Sequence, residues 1–166
     1  MSFVTLSTLY WIHILATVAW LGSQAAILLW VLPFGKQYLS PEQQLPHLAH
    51  TLKQALPWQW LSATMLLATG MFQMSASPNY EGLLAITNRW AVAILLKHLA
   101  YGGMLGINAV LSLHTLPALQ RAALLLSSGR EVPHSETLQR TARRWLWLNL
   151  VLGVVVLGLT ALARAA

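Results

Sequence analysis

Tyr10-Trp11-Ile12-His13-Ile14-Leu15-Ala16-Thr17-Val18-Ala19-Trp20-Leu21-Gly22-Ser23-Gln24 decides how this chain folds. The stretch lies in an apolar run, about 5–32, that contains no Asp, Glu, Lys or Arg. Read as a helix rising about 1.5 Å per residue, such a run crosses the roughly 30 Å hydrocarbon core of a bilayer. His13 then sits within the membrane, where an ionisable side chain is costly and marks a functional site whose partner has to be found.

Three more runs, about 57–76, 87–114 and 143–163, have the same character. Together they predict an all-α integral membrane four-helix bundle with antiparallel, up-down topology. Of the 166 residues, 57% are hydrophobic and 8% charged, against about 25% charged in a soluble domain. One transmembrane domain, 1–166, uses the whole length. The chain has no cysteine, which excludes disulfides, thiolate metal sites and cysteine nucleophiles.

The net charge of +6 is explained by topology rather than by nucleic acid, which is not expected as a partner. Lys36, Lys53, Arg121, Arg130, Arg140, Arg143 and Arg144 flank one side of the runs, and only Arg89 and Arg164 flank the other. The positive-inside rule then puts both termini on the periplasmic side of a bacterial inner membrane, in a multi-pass protein. No cleavable signal peptide is expected, because a basic n-region is lacking and the first apolar run is too long. The connection 33–57 reads as polar and punctuated by Pro41, Pro46 and Pro57, with room for a short interfacial helix. The connection 75–88 is rich in turn residues, and 115–142 is broken by Gly129 and Pro133. Ser135-Glu136-Thr137 can start the last helix before it enters lipid.

In an alternating bundle the first and third helices run parallel. His13 and His98 then fall at matching depth, about 12 to 14 Å from the outer helix ends. Two imidazoles at one depth on parallel helices suit bis-histidine ligation of haem b, with the porphyrin standing between them. Ala16, Ala19 and Gly22 follow His13, while Gly102, Gly103 and Gly106 follow His98, and these small residues offer room beside Trp20 and Tyr101. They equally allow close helix packing with no cofactor at all. Arg89, at the outer helix end, can pair with a propionate.

Each helix also carries a polar stripe at i, i+7, i+11, which stays within about 20° of one face. The stripes are His13, Trp20 and Gln24; Ser62, Thr69 and Gln73; Lys97, Met104 and Asn108; Asn149, Val156 and Thr160. These faces are predicted to point into the bundle. Hydroxyls and amides there hold helices together, and Gln24, Asn108 and Asn149 can also hydrogen-bond a quinone or another small substrate. The stripe raises a second possibility for the ligand pair. Lys97 shares a face with Asn108, and His98 is rotated by about 100° from it. A neutral lysine amine can ligate iron, although imidazole is the commoner axial ligand and needs no deprotonation.

A copper reading uses other side chains. Met71, Met74 and Met104 with histidine would suit Cu(I), although methionine in apolar helices is usually a packing residue. His47, His50 and His134 fall in basic connections, and His114 lies at the inner end of the third helix. The GxSxG, P-loop and HExxH motifs are absent, and all four acids lie in connections, which argues against hydrolysis.

Several segments resemble a known family. Ile12-His13-Ile14-Leu15-Ala16-Thr17-Val18-Ala19-Trp20-Leu21-Gly22 resembles the opening helix of the copper-resistance protein D (CopD) family, and Leu67-Ala68-Thr69-Gly70 resembles the end of its next helix. Leu95-Leu96-Lys97, Leu116-Pro117-Ala118-Leu119 and the segment 140–160 resemble the remainder. His13 with Lys97 is also similar to the HemJ-type protoporphyrinogen oxidases, a resemblance that implies haem b and carries those two positions over. This chain differs from the latter in having His98 after the lysine and Leu32-Pro33-Phe34-Gly35-Lys36 at the end of its first helix. The expectations are therefore a haem b protein held by His13 and His98, passing electrons in either direction between a periplasmic redox partner protein and a membrane quinone or larger membrane complex, as a haem-dependent membrane oxidoreductase. The alternatives are a Cu(I) transport or resistance protein and a cofactor-free accessory subunit.

Overall fold

A computed structural model describes residues 2–82, 86, 88–130, 132 and 135–165. Helix α1 (Phe3–Ala26) passes through a single π-helical turn, π1 (Ile27–Val31), into α2 (Leu32–Tyr38). Helix α3 (Pro41–Ser75) returns antiparallel to α1. The second half repeats the plan: α4 (Arg89–Val110) leads through π2 (Leu111–Thr115) into α5 (Leu116–Ser127), and α6 (Ser135–Ala165) returns. Four long helical rods result, as the apolar runs predict. No strand occurs among the described residues.

The helix starts follow from capping. The Ser2 hydroxyl accepts the amide of Thr5 at 3.2 Å, and the Asn88 carboxamide oxygen accepts that of Ala91 at 2.7 Å. Each relieves a backbone donor that has no intrahelical partner. At α3, Pro41 opens the first turn and the Gln43 side chain accepts the Ser40 amide at 3.2 Å. The π turns have a common cause. Pro33 and Pro117 each stand just after one, and proline lacks the N–H and crowds the carbonyl four residues back. The chain widens by one residue there, so that Leu32 N–H reaches Ile27 O and Leu116 N–H reaches Leu111 O.

Three rods, Phe3–Tyr38, Arg89–Ser127 and Ser135–Ala165, are long and apolar enough to cross a membrane. Helix α3 is long enough but more polar, because its stretch after Pro57 carries Gln59, Ser62, Thr64, Thr69 and Gln73. Outward-facing Trp11, Leu15, Val18, Leu29, Leu99, Leu113, Val154 and Leu162 are exposed and give the bundle a surface suited to lipid.

Two connections differ from expectation. The stretch 41–56 is the first half of α3 rather than a polar loop, and 116–127 is helix α5. Leu45, Leu48, Ala49, Leu52 and Leu56 recur at helical spacing, and they are buried against Leu119, Ala122, Ala142 and Leu146. That apolar face outweighs the cost of Pro46 and Pro57 within the helix. Pro133 and His134 lie outside the described residues.

The two halves match position by position. Ile27 and Leu111, Leu32 and Leu116, and Pro33 and Pro117 hold one fixed spacing. The same spacing pairs His13 with Lys97, Trp20 with Met104 and Gln24 with Asn108. On the returning helices another fixed spacing pairs Leu52, Leu56, Gln59 and Ala63 with Ala142, Leu146, Asn149 and Gly153, all eight of them buried. Helix α1 packs chiefly on α3, and α4 on α6. The bundle is thus two helical hairpins related by a pseudo-two-fold axis along its length.

Candidate functional site

Toward the start of α1 and the end of α6, the bundle brings together His13, Thr69, Lys97 and Tyr10, all at least partly buried, with the exposed Arg164 beside them. His13 is half-buried and turned toward α3, where its Nδ1 lies 2.7 Å from Thr69 Oγ1. A β-carbon added to Gly70 would meet the His13 ring at 3.4 Å, an ordinary van der Waals distance, so this part of α3 lies directly against the imidazole. Thr69 settles the tautomer. Its one hydroxyl proton is donated to Met65 O at 2.6 Å, so Oγ1 is left as an acceptor and His13 Nδ1–H is the donor. The neutral ring then carries its lone pair on Nε2, which makes no hydrogen bond among the described residues. An imidazole oriented through Nδ1–H, with Nε2 free, is ready to bind a metal ion.

The surrounding charge is positive. Lys97, half-buried on α4, and Arg164, near the end of α6, are basic side chains at this end of the bundle. Arg164 lies over the Tyr10 ring at 4.8 Å. Deeper in, Trp20 is fully buried and meets Tyr101 edge-on at 5.9 Å. The Tyr101 hydroxyl donates to Ala63 O at 2.7 Å and ties α4 to α3. Met104 completes this level, and a β-carbon on Gly153 would run into Leu21 and reach Met104 Cε at 3.4 Å.

The expected pairing of His13 with His98 does not occur. His98 is exposed on the outer surface of α4 and its Nδ1 lies 2.7 Å from Ile94 O of its own helix. The 100° step between neighbours on a helix decides this: with Asn108 and Met104 inside, Lys97 is the inward residue and His98 faces out. Gly22, Gly102 and Gly106 also face open space, so the room they leave is on the lipid side, and Trp20, Tyr101 and Met104 fill the interior. A porphyrin held by His13 and His98 therefore does not fit this bundle. Arg89 is exposed at the start of α4. His50 and His114 are exposed and His47 is half-buried beside Gly35, all near the opposite end. No group of three or more His, Cys, Asp or Glu stands ready for a metal among the described residues.

The polar stripes do turn inward. Gln24, Asn108 and Asn149 are fully buried. The structure adds Gln59, also fully buried, which the sequence reading passed over. Extending the stripe of Ser62, Thr69 and Gln73 back by one turn would have reached it.

A family model described as copper resistance protein D matches residues 49–163. Comparison with curated proteins and with solved structures gives no match. The match covers α4 and α5 entirely, nearly all of α6 and the larger part of α3, and on its extent the chain belongs to the copper resistance protein D family of membrane proteins.

Proposed function

We propose that this is a copper-handling protein of the bacterial inner membrane, with both helix-bundle termini on the periplasmic side and copper as its cargo. The observation that carries the reading is His13, held through Nδ1 by Thr69 so that the lone pair of Nε2 is left free. The family's printed description adds the metal, and the asymmetry of the basic residues supports the orientation. One nitrogen donor in a cationic setting does not make a resident site, which needs several converging ligands. It suits Cu(I), a soft, singly charged ion content with few ligands, taken up and passed on. Met104, two turns deeper on the stripe that begins at Lys97, is the buried thioether that could receive it.

The test is anaerobic competition for Cu(I) against a chromophoric chelator, using the protein in lipid nanodiscs. The wild type should withdraw Cu(I), His13→Ala should not, and His98→Ala should behave as wild type. Equal withdrawal by wild type and His13→Ala would overturn the reading. So would a haem Soret band in the purified protein that disappears in His13→Ala.

A further inference from the structure

Gln24, Gln59, Asn108 and Asn149 come one from each of the four long helices, and each is fully buried. They share one level. Gln24 and Asn108 stand four residues beyond Trp20 and Met104, which pack in one cluster with Ala63. Gln59 stands four residues before Ala63 on α3, and Asn149 four residues before Gly153, where an added β-carbon would meet Leu21 and Met104. The next level is the second cluster, with Ile27, Leu28, Leu56, Ile107, Leu111 and Leu146. The amides are therefore a polar layer between two apolar ones, about 16 Å along α1 from His13. In the pseudo-two-fold arrangement they form two equivalent pairs, so the layer surrounds the axis.

None of the four carboxamides has a hydrogen-bond partner, on either the nitrogen or the oxygen, and the Trp20 indole nitrogen above them lacks one too. Leaving one such group unmet costs about 1–3 kcal/mol in a protein interior, and bilayer surroundings offer no relief. Four unmet carboxamides at one level, with an unmet indole one turn away, therefore call for an occupant. Its chemistry follows from the lining. The layer offers both donors and acceptors, and its four neutral carboxamides carry nothing to offset the charge of a buried ion. The amides are closed to lipid, which disfavours a quinone with its long tail.

We propose that this layer is a binding site for a small cluster of internal water molecules, held on the axis by the four carboxamides and the Trp20 indole. Water is small, neutral, and both donates and accepts, and a buried molecule ordinarily makes two to four hydrogen bonds. The site does not depend on the copper reading.

Radiolytic hydroxyl-radical footprinting of the intact protein in nanodiscs tests this. Trp20 and Met104 border the layer and are sealed from bulk solvent, so only water held within the bundle can generate radicals beside them. Both should be oxidised in the wild type, and the labelling should be lost in Asn108→Leu/Asn149→Leu. Protection of both residues while exposed Tyr38 is labelled would overturn the proposal and show amides bonded directly to one another. That wild-type comparison stands even if the double variant fails to fold. Labelling that survives the double substitution, or a quinone recovered by solvent extraction of the purified protein, would also overturn it.

Discussion

The two hairpins share a backbone plan and differ in chemistry. At the level of the π turns the halves are nearly interchangeable, with Leu-Pro after each and an amide one turn before it. At the outer level they diverge. The first half places His13, braced by Thr69; the second places Lys97, and the position that matches Gly70 is Thr160, whose hydroxyl bonds its own helix at Val156 O. The comparison teaches that the two halves share one apolar framework and differ in the ionisable side chain that it carries at the outer level. On the proposed reading, the imidazole of one half would hold a metal ion and the lysine at the equivalent position of the other would oppose it.

The largest effect should come from the tightest point of the second hairpin. Gly153→Val forces a branched side chain into Leu21 and Met104, and overpacking of this kind costs about 1–3 kcal/mol. Thermal unfolding in detergent should show the loss, whereas Ala63→Gly, at the matching position of the first hairpin, should cost about 1 kcal/mol or less. Next comes Thr69→Val, which removes the acceptor that fixes the His13 ring. Loss of such an outer partner lowers metal affinity by roughly 10- to 100-fold, so Cu(I) competition should place this variant between wild type and His13→Ala. Lys97→His, which makes the halves chemically alike, should strengthen Cu(I) retention by roughly tenfold or about 1.4 kcal/mol, because it replaces a cation with a second imidazole. A weaker hold in that variant would show that Lys97 serves the metal rather than opposing it. The smallest effect belongs to His98→Ala, a lipid-facing change that should move stability by no more than about 0.5 kcal/mol.

Much of the candidate site was legible because helical periodicity is a property of spacing alone. Trp20, Gln24, Asn108 and Asn149 repeat on one face, and all are buried. Gln59 lies inside the run 57–76 and was within reach of the same rule, but the stripe was started one turn later, at Ser62. His98 shows the opposite case. Depth along a helix can be counted from sequence, but the rotation of that helix about its axis depends on its neighbours, and one residue is a 100° turn. The prolines at 46 and 57 misled for a related reason: their local penalty is visible in sequence, while the leucine face that overrides it acquires value only against α5 and α6.

By itself the sequence established an all-helical chain, its membrane character, the inward stripes and His13 as the ionisable group to watch. Length, apolarity and period are local quantities, and a bilayer demands all three. Tertiary structure alone decided that Lys97 rather than His98 shares the interior with His13, that Thr69 sets the tautomer, and that four separate amides form one layer. Those outcomes depend on which faces of distant segments meet, and packing chooses that only when all four helices are in place.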